Sequence, residues 1–225
     1  MEKLELKGKV KSVTIREFNN TKKENNKLLD TKFITFDSSG NYISERFGSL
    51  RKNATINTIA YYKHDSLGRI LQTDRYKADT LLAQDIYHYN DTTNTATVTM
   101  GHSKLANSII KHYNQQGQII EEKWYKKNGP LITAETFKYD KNGLAIEVNR
   151  YSKDSSLVSQ TSLSYNKKGF PIKSINTPAS AKPATEITYR YKYDRKGNWI
   201  KKEILENIEG RIAVTSFTER EIEYY

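Results

Sequence analysis

The chain has 225 residues, a formal net charge of +11, no cysteine and only 36% hydrophobic residues. Without cysteine there is no disulfide, no thiolate nucleophile and no thiolate metal site. No segment approaches the about 20 consecutive apolar residues of a membrane-spanning helix, and the positive excess favours anionic partners without identifying them.

In chain order, the opening Met1-Glu2-Lys3-Leu4-Glu5-Leu6 lacks a basic-then-apolar leader. Two expectations follow: an exported protein, periplasmic or at the outer membrane or cell surface, whose leader is removed, or a cytoplasmic one. The stretch Asn19 to Asn26, rich in Asn, Lys and Thr, predicts a hairpin tip. Then a short phrase begins to recur. It is degenerate at Phe36-Asp37-Ser38-Ser39-Gly40 and His64-Asp65-Ser66-Leu67-Gly68, and glycine-free at Tyr89-Asn90-Asp91-Thr92-Thr93. It is complete at Tyr113-Asn114-Gln115-Gln116-Gly117, Tyr139-Asp140-Lys141-Asn142-Gly143, Tyr165-Asn166-Lys167-Lys168-Gly169 and Tyr193-Asp194-Arg195-Lys196-Gly197.

The glycines of the four complete copies stand 26, 26 and 28 residues apart, which is the signature of a structural repeat. A half-period lies between them, at Gly129, Ser156 and Gly210, so each unit holds two strands and two turns. The physical reading of the phrase is a turn. An aromatic ends a strand, Asp or Asn accepts hydrogen bonds from backbone two or three residues on, and Gly supplies the positive φ that closes the loop. Asp37, Asp65, Asn114, Asp140, Asn166 and Asp194, with Gly40, Gly68, Gly117, Gly143, Gly169 and Gly197, are therefore structural turn residues.

Between turns the period is two. Ile187, Tyr189, Tyr191 and Tyr193 share one face, and Glu186, Thr188, Arg190 and Lys192 the other. Leu144, Ile146 and Val148 likewise oppose Ala145, Glu147 and Asn149, which predicts one buried face and one wet face. The expected fold is all-β: an antiparallel meander of tandem hairpin repeats, about fifteen or more strands, forming an elongated curved sheet or a partly closed barrel. A continuous repeat predicts a single domain over 1–225. The Pro- and Ala-bearing segment from Ile175 to Lys182, running on to Pro183 and Ala184, predicts an exposed loop insertion at 175–184.

Catalytic candidates are few. His88 and His112 immediately precede repeat tyrosines, so repeat membership accounts for them, and no metal or cofactor is expected. The carboxylates Asp37, Asp65, Asp140 and Asp194 suggest a glycan-active hydrolase, but each has a turn to cap. Asn at 114 and 166 keeps that turn bond and would end acid–base chemistry, so the chain is expected not to be an enzyme. The lysines cluster in turns, as in Lys126-Lys127 and Lys167-Lys168, where they protect sheet edges and confer solubility. No helix-turn-helix, zinc-finger or RNP-like pattern points to nucleic acid.

Sixteen Tyr and two Trp carry the functional signal. In one reading Tyr139, Tyr151, Tyr165 and Tyr193 form a cross-strand core ladder. In the other, Trp124, Tyr125, Tyr189, Tyr191 and Trp199 lie on an exposed concave face and stack on a sugar or peptide.

Tyr193-Asp194-Arg195-Lys196-Gly197-Asn198 and His64-Asp65-Ser66-Leu67-Gly68-Arg69-Ile70 resemble the YD repeats of the Rhs class. The stretch Leu6-Lys7-Gly8-Lys9-Val10-Lys11-Ser12-Val13 is similar to the start of uncharacterised exported repeat lipoproteins of Bacteroidetes-type bacteria. These resemblances imply an all-β binding scaffold of the cell envelope or exterior. Its membrane contact would run only through a lipid anchor outside this sequence, and its partner would be carbohydrate, an anionic envelope polymer or another envelope protein. Since Rhs repeats wrap and bind, they imply no activity. The alternative is a protein-interaction module that adds a strand at an open sheet edge.

Overall fold

The computed structural model describes residues 6–21, 24–50, 56–101, 107–126, 129–208 and 211–225. Within them Lys22, Lys23, His102, Lys127 and Gly210 do not fall, so the readings on these residues lie outside the described structure.

The strands are β1 (Val10–Thr21), β2 (Glu24–Phe36), β3 (Tyr42–Ser49), β4 (Ile56–His64), β5 (Ile70–Lys77), β6 (Thr80–Asn90), β7 (Thr95–Met100) and β8 (Ser108–Tyr113). They continue with β9 (Ile119–Tyr125), β10 (Leu131–Tyr139), β11 (Ala145–Ser152), β12 (Leu157–Tyr165), β13 (Pro171–Pro178), β14 (Thr185–Tyr193), β15 (Trp199–Ile208) and β16 (Arg211–Tyr224). Neighbours in sequence are neighbours in the sheet, and β1 pairs with β16, so the sixteen-strand meander closes into a barrel. Contacts group the chain into two compact units, Met1–Leu82 with Tyr189–Tyr225, and Ala83–Thr188.

The all-β antiparallel meander of hairpins is as expected, and the barrel it forms is closed rather than partly closed, so an interaction by strand addition would meet β1 and β16 already paired with each other. The first and last strands occupy each other from Val10↔Tyr224 to Asn19↔Ser216. The loop insertion is also shorter than expected. Residues Ile175 to Pro178 continue β13 opposite Ser162 to Ser159, which leaves 179–184 as the exposed segment. In the Asn19–Asn26 stretch, pairing of β1 with β2 runs on to Thr21↔Glu24.

The turns behave as their chemistry dictates. In each copy the first Asp or Asn accepts two backbone N–H groups through one oxygen. Asp140 Oδ1 receives Asn142 and Leu144, both at 2.9 Å, and Asn166 Oδ1 receives Lys168 at 2.9 Å and Phe170 at 3.1 Å. Asp37, Asp65, Asn114 and Asp194 do the same for residues two and four positions on. The glycine that closes each loop has φ between 74° at Gly117 and 89° at Gly40, the left-handed region that a side chain disfavours. At the half-period, Ser155, not Ser156, takes the glycine's place, with φ 65° and its N–H bonded to the Ser152 carbonyl at 3.0 Å.

After the turns closed by Gly40, Gly68, Gly117, Gly143 and Gly169 the register slips by one residue. Tyr139 faces Ala145 and Lys138 faces Glu147, which leaves Ile146 without a cross-strand partner. The same bulge isolates Ile43, Leu71, Ile120 and Ile172, each three residues past a turn glycine. These five side chains are 38% to 47% exposed. This corrects the simple alternation expected for β11, where Ile146 is exposed and Asn149 buried, whereas β14 keeps its tyrosines half-buried and Thr188, Arg190 and Lys192 exposed. The repeat tyrosines fasten the bulged strands by their hydroxyls. Tyr139 donates to the Ile119 carbonyl at 2.6 Å, and Tyr165, one period later, to Ala145 at 2.5 Å. In the first unit Val10, Val13, Ile15, Ile34 and Phe36 form a buried cluster, packed by Leu6, Tyr42, Ile222 and Tyr224.

Candidate functional site

The five aromatic candidates are divided between the two units. Trp124 and Tyr125 lie at the end of β9 in the second unit, half-buried, opposite Ile109 and Ser108 of β8. Tyr189, Tyr191 and Trp199 belong to the first unit. Trp199 is buried. Its ring lies under the Arg220 guanidinium at 3.4 Å and meets Tyr191 edge-on at 6.1 Å, with the Lys202 ammonium at 5.5 Å. Tyr191 also stacks on Tyr193 at 6.1 Å. Trp199 is thus the centre of an aromatic and cationic cluster and is buried within it.

The turn carboxylates are occupied as well. Hydrogen bonds from Asn41 hold the Asp37 carboxyl below the ordinary aspartate value. At Asp194 burial pushes the carboxyl up, but the Tyr224 hydroxyl at 2.5 Å and the backbone N–H groups outweigh it and lower the pKa. The lowered pKa makes these carboxylates weaker bases, and their oxygens are engaged in closing the loops.

Charge is ordered in rows across the second unit's sheet. Lys111 lies opposite Glu122, Glu122 opposite Glu135, and Glu135 opposite Arg150. Two ion pairs flank this row, Lys111–Glu122 at 2.8 Å and Arg150–Glu135 at 2.6 Å. On the opposite face, one residue along β8 and β9, Glu121 holds His112 at 2.8 Å and Lys123 at 2.9 Å, and three residues along β10 and β11, Lys138 holds Glu147 at 2.7 Å. Burial raises the Glu121 carboxyl, but the bonds from Lys123 and His112 overcome this and lower it. His112 is therefore more than a repeat neighbour. Strand pairing alternates faces residue by residue, so ion pairs decorate both faces of this sheet.

Sequence reasoning missed a depression in the first unit, on β2, β3 and β4. It encloses about 310 Å³ and is lined by Thr31, Phe33, Arg46, Gly48, Leu50 and Asn57. Its available signal was a glycine inside a strand, which removes a side chain from a row.

No protein-family model matches the chain, and no curated protein matches it. Among solved structures it is similar over 97% of its length to a porin-like protein from Bacteroides uniformis, of which it covers 99%, at 11% identity and a TM-score of 0.65. A porin-like protein from Bacteroides vulgatus is matched at 13% identity with a TM-score of 0.42, over 96% of this chain and 98% of that one. The TcdB2–TccC3 structure is matched over 83% of this chain but only 12% of its own length, at 11% identity and a TM-score of 0.36.

Proposed function

We propose that this chain is a non-catalytic binding module of the cell envelope or cell exterior, a barrel solvated on both faces that recognises carbohydrate or an anionic envelope polymer by contact. The observation that carries this reading is the ion pairing on both faces of the second unit. A lipid-embedded barrel presents an apolar band to the bilayer, where a lysine or arginine costs about 2–4 kcal/mol at the midplane. Glu121, Lys123 and Glu147 on one face and Lys111, Glu122 and Arg150 on the other leave no such band there. The porin-like description of the Bacteroides uniformis protein favours an envelope setting, and the Tyr-Asp-x-x-Gly resemblance favours a scaffold that binds. The net charge of +11 supplies attraction to polyanions.

The test is purification without detergent, followed by chromatography on an immobilised acidic polysaccharide and by planar-bilayer recording. A monodisperse protein, retained on the acidic polymer and released by salt, with no conductance, is the expected result. Dependence on detergent together with channel conductance would overturn the reading in favour of a pore. A protein partner has one specific support, the exposed aliphatic row Ile120, Ile146 and Ile172 in the second unit. Its contact would be made by side chains on the sheet.

A further inference from the structure

The depression on β2, β3 and β4 is a notch made by Gly48. Residues facing each other across paired strands point to the same side of the sheet. Thr31 faces Gly48 and Gly48 faces Asn57, while in the neighbouring row Phe33 faces Arg46 and Arg46 faces Ile59. Gly48 lies inside β3 outside the positive-φ glycines, so what matters there is its missing side chain. Phe33 and Arg46 also line the depression in which Thr31, Gly48 and Asn57 lie. Phe33 is 37% exposed, and Leu50, beyond the notch, is 50% exposed.

Arg46 is the unusual element. Other arginines of the sheet are paired, Arg16 with Glu221, Arg150 with Glu135 and Arg190 with Glu203. Arg46 is flanked by Phe33 and Ile59, neither of which can balance its charge, and among the described residues it has no ion-pair partner. The notch therefore combines an apolar ring face, an uncompensated planar cation that matches a carboxylate with two parallel N–H donors, and hydroxyl and amide groups that both donate and accept. Its volume of about 310 Å³ has room for one ring-sized ligand.

We propose that this notch binds a carboxylated pyranose, one uronate residue of an acidic polysaccharide. The carboxylate lies against Arg46, the C–H face of the ring on Phe33, and the ring hydroxyls near Thr31 and Asn57. This deepens the anionic-polymer reading above and rests on it.

The test uses trigalacturonate as the probe, with a neutral galactose trisaccharide as control, on the full chain by titration calorimetry. The wild type should bind the acidic probe and not the neutral one. Arg46→Gln should weaken binding about tenfold or more, the scale of losing a charge-assisted hydrogen bond. Gly48→Val, which fills the notch with a residue suited to a strand, should abolish it. Arg46 is exposed and unpaired, so its variant remains informative even if Gly48→Val disturbs folding. Binding of trigalacturonate unchanged by both substitutions would overturn the notch and leave the binding module standing. Retention on an acidic polysaccharide with no trigalacturonate binding would do likewise. No binding to either probe or polymer would overturn both.

Discussion

Tyr225 donates its backbone N–H to the carbonyl of Lys9 at 3.0 Å, reproducing the contact that Asp140 makes with Leu144 at 2.9 Å inside a continuous turn. The likeness extends outward. Gly8 has φ 83°, as the turn glycines do, and the β1–β16 register skips Lys11 between Val10↔Tyr224 and Ser12↔Glu223, as the β10–β11 register skips Ile146. The two ends of the chain thus assemble one more copy of the repeat turn, with Tyr224 and Tyr225 supplying its first half and Gly8 and Lys9 its second. The barrel closes because its last hairpin is the same hairpin, interrupted.

That geometry predicts that the interruption can be moved. A permuted chain in which Tyr225 is followed directly by Leu6, with new ends in the exposed segment 179–184, should fold to the same barrel. Its stability should lie within about 2 kcal/mol of the parent, since a short closed loop replaces two free ends. Urea unfolding followed by far-UV circular dichroism measures this. A permutant that is unfolded in water would show that the split turn is not equivalent to a continuous one.

Asn198 fastens the same junction. It is 1% exposed, accepts the Lys7 N–H at 2.6 Å, and donates to the Lys7 carbonyl at 2.9 Å and the Tyr224 hydroxyl at 2.7 Å. Asn198→Leu would leave the Lys7 peptide unpaired against an apolar group, at a cost of about 2–3 kcal/mol. Deleting residues 1–9 in the Asn198→Leu background should add less than the same deletion in the wild type, because the two changes remove one set of bonds. Additive effects in a double-mutant cycle would argue against the latch.

Much of this was legible in the sequence, for a local reason. An Asx oxygen capping nearby backbone N–H groups, and a glycine taking positive φ, are contained in six residues, so spacing displays them, although the expected bonds lie two or three residues on and the observed ones come from the second and fourth. Closure is not local. Tyr225 and Lys9 stand at opposite ends of the chain, and no spacing rule connects them. The bulges were masked by their own regularity, since Ile43, Leu71, Ile120, Ile146 and Ile172 occupy a position that simple alternation places with the core. The Gly48 notch depends on which residues face it across two strands, a property of register that turn chemistry fixes only after the strands are built.

Acid should weaken the fold through the turn carboxylates. At Asp140 the backbone N–H groups of Leu144 and then Asn142 lower the pKa, and Asp37 and Asp65 are lowered as well. The unfolded chain then binds protons more readily than the folded one. The stabilisation is complete above the ordinary aspartate pKa of about 3.9 and is lost as pH falls through the lowered native values. Asp140→Asn keeps the acceptor oxygen, as Asn114 and Asn166 do, and carries no proton. The variant should match the wild type at pH 7 and show a shallower loss of stability between about pH 4 and 2. Urea midpoints over that range check it, and an unchanged slope would show that Asp140 is not part of the acid response.

Two glycines with similar φ separate backbone strain from contact. At Gly117, φ 74°, an added Cβ meets nothing within 4 Å, whereas at Gly68, φ 75°, it falls 2.7 Å from Asn41 Oδ1. Asn41 cannot turn aside freely, because its amide nitrogen is bonded to Asp37 Oδ2 at 3.0 Å. Gly117→Ala should cost about 1–2 kcal/mol from the left-handed conformation alone. Gly68→Ala should cost more, and the Asn41→Ala background should remove the excess. Equal losses in the two single variants, read from urea melts, would mean that adjacent turns do not support each other.

Trp199 provides the sharpest test of where the aromatic chemistry is used. With 7% of its surface exposed and Arg220 stacked at 3.4 Å, it has no free face to offer a sugar. Trp199→Ala should therefore cost about 3–5 kcal/mol of stability, the range for removing a buried aromatic, and should strand Arg220 over a cavity. Under conditions where the variant is still folded, its retention on an acidic polysaccharide should be unchanged. Measuring unfolding and binding on the same preparation separates the two roles. A variant as stable as the wild type that no longer binds would return Trp199 to the ligand-binding surface and would require the Arg220 stack to open in solution.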